Sequence, residues 1–315
     1  MNAQSDIQQG LISVIMPCFN AQAHLREAID SVLAQSYPRT ELIVVDDGST
    51  DGSMGILRSY GERITVLSRQ NQGPYFARNN GVRASHGAYL AFLDADDYWT
   101  QDCLEKLHAG LKTNARAALS YCGWQNVGLS EKRGEPFVPP NYELKNKPEC
   151  FLRAASPWPI HAVLIRREFM EQIGCFNVYL PTCMDYDLWL RIAITNPVVL
   201  VPEVLAFYRH HQEGQITSKQ WRQALNIWRV KKWFVEHYPE ITSNLSAARL
   251  RQLIDGGLLQ RGYDNYWRRD LISARRIFRK SLLLGAWRIK DLRYLLPALL
   301  PESPYIKLIT IIDRR

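Results

Sequence analysis

Residues 11 to 16 (LISVIM) form an apolar run closed by Pro17, and residues 42 to 45 (LIVV) form a second that leads into Asp46, Asp47 and Gly48. Runs this apolar, without polar alternation, predict strands covered on both faces, as in a parallel sheet. Between them Leu25, Ala28, Ile29, Val32 and Leu33 recur at three- and four-residue spacing. That period predicts an amphipathic helix capped by Asn20 and stopped by Tyr37 and Pro38. The alternation continues with a strand over 64–67, a helix over 75–84 and a strand over 88–93 (AYLAFL). It predicts an open α/β sheet that binds its ligands beyond the carboxyl ends of the strands. From about Trp221 the pattern turns to helical periods rich in Trp, Arg and Leu. The reading is therefore an α/β domain over 1–211 followed by a helical domain over 212–315.

Charge sharpens that division. Residues 212–315 hold 20 Lys and Arg against 9 Asp and Glu, whereas residues 1–211 hold 19 against 22. A slightly acidic domain carries a basic tail. In that tail Arg275, Arg276, Arg279 and Lys280 fall on one side of a predicted helix and Ala274, Ile277, Phe278, Ser281 and Leu284 on the other. Such a helix suits an anionic membrane surface, or else packs its apolar face on the protein and leaves its charges solvated.

Composition excludes several classes. The six cysteines contain no CxxC pair and no metal-ligand spacing, so a disulfide framework and structural zinc are not expected. The polar start, MNAQSDIQQG, lacks the basic and apolar regions of a secretory signal. The apolar stretch over 282–312 is broken by charged residues well short of the roughly 18 apolar positions a span needs. The expectation is a cytoplasmic protein, peripheral on the inner face of the cytoplasmic membrane.

Both acidic clusters fall at predicted strand ends: Asp46 and Asp47 after LIVV, then Asp94, Asp96 and Asp97 after AYLAFL. Asp94 and Asp96 are two apart, so on a strand both carboxylates point to one face and repel unless a cation lies between them. Without nearby His or Cys, the ion is a hard one, Mn²⁺ or Mg²⁺. The alternative for this turn is a solvated one in which Asp96 or Asp97 caps a helix starting near Tyr98.

Read together, residues 14–20 (VIMPCFN), 44–51 (VVDDGSTD), 71–81 (NQGPYFARNNG), 87–97 (GAYLAFLDADD) and 184–191 (MDYDLWLR) are similar in order and spacing to family 2 inverting glycosyltransferases. The similarity covers about residues 10 to 211. It implies a GT-A-like, Rossmann-like open mixed sheet flanked by helices, a nucleotide-sugar donor and a divalent metal. It further implies that Phe19 lies against the nucleotide base, with Pro17, Asn20 and Ala95 also in the donor site. Asp46 or Asp47 would accept the N3 proton of uracil, a donor that suits a fixed carboxylate, or else an N–H of guanine, which offers donors as well. Arg78 would face the diphosphate, and Asp94 and Asp96, with His211 of the YRHH segment, would hold the metal. Trp158 and His161, from a proline-rich segment, and Met184 would lie on the side of a glycan or lipid-linked acceptor.

The same resemblance makes Asp185 the general base. Its helical position supports this: Asp185 shares a face with Leu188, Trp189 and Ile192, whereas Asp187 shares one with Arg191. Asp185 is expected to point inward and Asp187 outward in a surface ion pair. Met184 stands where the family usually has Glu. The alternative function, a sugar nucleotidyltransferase, calls for a glycine-rich loop after the first strand, where this chain reads PCFNAQ. The GxGxxG of a dinucleotide oxidoreductase is equally missing there, and no nucleic-acid module is recognisable.

Overall fold

The computed structural model describes residues 7–128, 134–154, 156–180, 182–210 and 219–312. The chain divides into two units. The first holds residues 1–146, 156–179 and 187–212, and the second holds 147–155, 180–186 and 213–315. Two short segments inside 1–211 thus belong with the helical unit.

Along the chain run β1 (Gln8–Cys18), α1 (Leu25–Leu33), β2 (Thr40–Asp46), α2 (Ser53–Ser59), β3 (Thr65–Ser68), α3 (Pro74–Ala84) and β4 (Gly87–Phe92). There follow β5 (Tyr98–Trp99), α4 (Cys103–Lys112), β6 (Leu119–Val127), α5 (Lys147–Arg153), β7 (Val163–Arg166), α6 (Arg167–Gln172), α7 (Met184–Ala193) and β8 (Val198–Arg209). The eight strands form one sheet in the order β3-β2-β1-β4-β7-β6-β8-β5. Strands β3, β2, β1 and β4 are parallel, while β7 runs antiparallel to both β4 and β6. The mixed sheet flanked by helices is the one expected.

The order of these strands places the site. From β1 the chain moves outward through β2 and β3, then returns to β4 on the other side of β1, which puts the topological switch point, where sheets of this kind bind ligands, at the carboxyl ends of β1 and β4. Cys18 is level with Asp46, and Ile15 with Phe92. Residues 17–20, 46–49 and 94–97 therefore emerge at one edge. Strand β1 is buried from Ile12 to Cys18, which is why its apolar run lacks alternation. Gly81 of α3 lies where a Cβ would collide with Ile15, so its missing side chain lets α3 settle on β1.

Three expected local features differ. Asn20 does not cap α1; it sits at φ +49° and its Oδ1 accepts a hydrogen bond from Thr50 N at 2.8 Å, joining the β1 and β2 loops. Helix α2 has no counterpart in the sequence reading, because seven residues give too few turns for a period to show. No helix starts at Tyr98, whose two-residue strand pairs with Phe207 and Ala206 of β8.

The second unit adds α8 (Gln220–His237), α9 (Ala247–Arg251), α10 (Gly257–Trp267), α11 (Leu271–Leu284), α12 (Leu292–Leu295) and α13 (Glu302–Ile312) to α5. Its core gathers Phe278, Tyr266, Leu259, Leu295, Tyr305 and Ile309. Asp270 caps α11 by accepting from Ser273 N at 3.0 Å, and Gly285 ends it at φ +65°. Ala274, Ile277, Phe278 and Ser281 are buried as expected, but the basic face is not a free stripe. Arg275 is buried and donates to Leu300 O at 2.7 Å, satisfying a carbonyl in the segment before α13. Arg276 lies over the Trp221 ring and Lys280 over that of Trp228, at 4.4 and 4.6 Å from the ring centres, while Arg279 is exposed. Among the described residues no helix is long and apolar enough to cross a membrane.

Candidate active site

The parallel half of the sheet delivers the donor-side candidates to its carboxyl edge. Pro17 is buried, whereas Phe19 just beyond it is 50% exposed and free to meet a ligand face to face. Asp46 and Asp47 are both buried but held differently. Among the described residues Asp46 accepts only long contacts from Ser49 N, at 3.4 Å. Asp47 accepts from Gln72 N at 3.1 Å and Gly73 N at 2.7 Å, and pairs with Arg69 Nε at 3.1 Å. It thereby fixes the loop that enters α3.

Arg78, on the first turns of α3, is buried and forms an ion pair with Asp94 just past β4. Tyr75 and Phe176 lie within cation–π range of its guanidinium. Asp94 keeps 30% of its side chain exposed, Asp96 is half-buried, and Ala95 between them is buried. Asn79 beside Arg78 exchanges hydrogen bonds with both backbone groups of Phe176 and so has a structural role.

The sequence did not expose what supports the 94–97 turn. Asp97 and His161 are both buried, with Oδ2 and Nδ1 3.0 Å apart. Arg209 N donates to Asp97 Oδ1 at 2.8 Å, and Arg209 Nε donates to Asp96 O at 3.0 Å. The turn is thus clamped to β8. Burial raises the Asp97 carboxyl above the usual carboxylate range, with His161 opposing. Asp97 was visible as part of a DADD run; its partners, 64 and 112 residues away, carried no local signal.

Three acceptor-side expectations are corrected. Trp158 is fully buried and stacks on Tyr121 with ring centres 4.2 Å apart, so it offers no face to a sugar. His161 is fully buried against Asp97, and Met184 is buried at the start of α7. His210 is half-buried with Nε2 3.0 Å from Asn126 Oδ1. His211 lies outside the described residues.

The two acids of α7 also trade places. Asp187 is buried, and Arg191 holds its Oδ2 at 2.7 and 2.9 Å while donating to the carbonyls of Ile173 and Cys175. The expected i, i+4 pair is present, but inside. Burial raises the Asp187 carboxyl, with Arg191 opposing. The helical-face argument failed because Tyr186, Leu188, Trp189, Leu190 and Ile192 are all buried, so α7 has no solvent face to identify. Asp185 is the half-buried one, and its Oδ1 accepts from Tyr186 N at 2.8 Å.

Comparison with known proteins agrees with this architecture. Residues 13–173 match the family model for glycosyl transferase family 2. An uncharacterized glycosyltransferase of Rickettsia felis is 33% identical over 64% of the chain, which spans only 35% of that relative. The putative teichuronic acid biosynthesis glycosyltransferase TuaG of Bacillus subtilis is 34% identical over 69% of the chain and 86% of its own length. Among solved structures, S. aureus TarS residues 1–349 in complex with UDP-GlcNAc gives a TM-score of 0.64 at 16% identity, covering 96% of this chain and 92% of TarS. Mannosyltransferase PcManGT from Pyrobaculum calidifontis, in complex with GDP-Man and Mn²⁺, gives 0.55 at 17%, covering 95% and 86%. The fold is thus GT-A-like with an added helical region, and the chain belongs to glycosyl transferase family 2, as a glycosyltransferase.

Proposed function

We propose that the chain is a metal-dependent inverting glycosyltransferase that moves a sugar from a UDP-linked donor to a hydroxyl of a glycan or lipid-linked acceptor. The observation that carries this reading is the carboxyl edge of β1, β2 and β4, where exposed Phe19, buried Asp46 and Asp47, and the Arg78–Asp94 pair emerge together. Phe19 would take the base, Asp46 or Asp47 the uracil N3–H, and Arg78 the diphosphate oxygens. TarS bound to UDP-GlcNAc supports the choice of a uridine donor, and the likeness to TuaG supports a polysaccharide product.

The residues fit a hard divalent ion. Asp94 and Asp96 are partly exposed carboxylates, and among the described residues no His, Cys, Asp or Glu group of three is gathered. A Mn²⁺ or Mg²⁺ ion held by two carboxylates takes its other ligands from water and substrate phosphates. PcManGT with GDP-Man and Mn²⁺ supports that assignment. When bound, such an ion neutralises charge on the departing nucleoside diphosphate. Arg78 adds fixed positive charge at the same place, and Asp185 takes the proton of the acceptor hydroxyl.

The reading also places the protein on the inner face of the cytoplasmic membrane. The excess of basic residues in 212–315 and the exposed Leu296, Leu299, Leu300, Ile311 and Ile312 support it. Calorimetry with UDP and Mn²⁺, followed by hydrolysis of a panel of nucleotide sugars, tests the catalytic proposal. UDP binding that requires the metal is expected; a wild-type protein that binds no nucleotide overturns it.

A further inference from the structure

Lys231 on α8 and Arg261 on α10 sit inside the helical unit without a carboxylate partner among the described residues. Lys231 is 3% exposed and Arg261 is half-buried. Neither side chain makes a hydrogen bond or ion pair with a described residue; Lys231 has only the Tyr186 ring, 5.9 Å from Nζ. Two acids of the same helical unit are committed elsewhere. Asp255 accepts from the Trp228 indole at 2.7 Å, and Asp264, whose field reaches Arg261, accepts from Gln260 at 3.0 Å. Cys183 and Tyr186 bring no counter-charge, because burial holds both protonated at neutral pH.

Both cations line one small cavity, about 10 Å³, whose other walls include Trp228, Ile254, Gly257 and Leu258. That is room for one water-sized group. Two like charges facing an apolar cavity raise each other's cost, and burial with the Arg261 charge brings the Lys231 amine down to about 7. The charges match an oxyanion. A guanidinium offers paired donors to oxygen, an ammonium offers a point charge, and a phosphate monoester near neutral pH brings close to two negative charges.

We infer that Lys231 and Arg261 form a binding site for a phosphate group, one oxygen of which enters the cavity while the remainder stays outside. Cys183 and Tyr186, both within reach of the Arg261 charge, flank Asp185 in the chain. The phosphate is accordingly one carried by the acceptor, a step that rests on the glycosyl-transfer reading.

Calorimetry with inorganic phosphate and with methyl phosphate, in EDTA and without nucleotide, tests the site. The wild type is compared with Lys231→Met, which keeps the aliphatic length, and with Arg261→Gln. Each substitution is expected to weaken phosphate binding at least tenfold, while UDP–Mn²⁺ affinity stays within twofold. No phosphate binding by the wild type, or equal binding by all three proteins, overturns the site. Binding of methyl phosphate, with a raised KM of Lys231→Met for a phosphate-bearing acceptor only, assigns it to the acceptor. Binding of inorganic phosphate alone keeps the site and removes the acceptor step. Failure of UDP–Mn²⁺ to bind the wild type removes the glycosyl-transfer reading and leaves the phosphate result intact.

Discussion

Asp97 and His161 face each other in the interior, Oδ2 3.0 Å from Nδ1, in a contact whose angles are not those of an aligned hydrogen bond. His161 Nε2 is buried with no hydrogen-bond partner among the described residues. The pair nonetheless lies inside the protein at the end of the turn that carries Asp94 and Asp96. Removing one member of a buried pair leaves the other uncompensated. His161→Ala is expected to cost about 3 kcal/mol of stability, read by urea denaturation, and to weaken Mn²⁺–UDP binding in the remaining folded protein. A variant as stable as wild type sinks this account.

The acids of α7 should separate by readout. Asp185→Asn removes basicity from a half-buried position, so kcat is expected to fall by about 10²-fold or more with folding intact. Asp187→Asn strips Arg191 of its partner inside the protein and is expected to lower the melting temperature sharply. Circular dichroism melts and single-turnover rates distinguish them; a stable, inactive Asp187→Asn would reverse the assignment.

Arg78 and Asp94 form an ion pair but are proposed for different ligands, so each substitution has a different signature. Asp94→Asn should weaken metal-dependent UDP binding. Arg78→Lys keeps the charge but loses the paired donors, and transfer is expected to fall by roughly tenfold or more. Unchanged calorimetric affinity in Asp94→Asn would remove this residue from the metal site.

Lys231 makes stability depend on pH. Unfolded, its amine holds a proton up to 10.5; folded, only up to about 7. Between these values the unfolded chain binds more protons, so stability rises with pH, by at most about 1.4 kcal/mol per pH unit. The penalty is complete below pH 7 and gone above 10.5. The groups around the amine are Arg261, still charged across this range, and protonated Tyr186 and Cys183. Urea unfolding at pH 7 and pH 9.5 should show the rise, and Lys231→Met should flatten it.

Membrane association cannot use Arg275, which is buried. Replacing Arg279, Arg293 and Lys307, which are exposed or partly so, should release the protein from anionic vesicles in co-sedimentation, with binding lost at high salt. Arg275→Gln should instead destabilise the helical unit by leaving Leu300 O unbonded. A wild type that stays in the supernatant at low salt rejects the membrane reading.

Strands β1, β2 and β4 were legible because each is an apolar run ending in acids or proline, and the edge where those acids emerge follows from strand order alone. Trp158, His161 and Met184 were misplaced for the opposite reason. They sit in short irregular segments or at a helix start, where no period separates inside from outside. Asp187 was misread because a helix buried all round still shows an i, i+4 charge pair, and spacing cannot tell a buried pair from an exposed one. Lys231 and Arg261 belong to different helices and leave no motif.

Asp47 carries a consequence for the thermodynamics of donor binding. Its carboxylate holds Gln72 N, Gly73 N and Arg69, so the turn between β3 and α3 is ordered by the end of β2 before any nucleotide arrives. A pocket wall already fixed loses little conformational entropy on binding. The amides of Gln72 and Gly73 should therefore exchange slowly with solvent in the free protein, and nucleotide should add little to their protection.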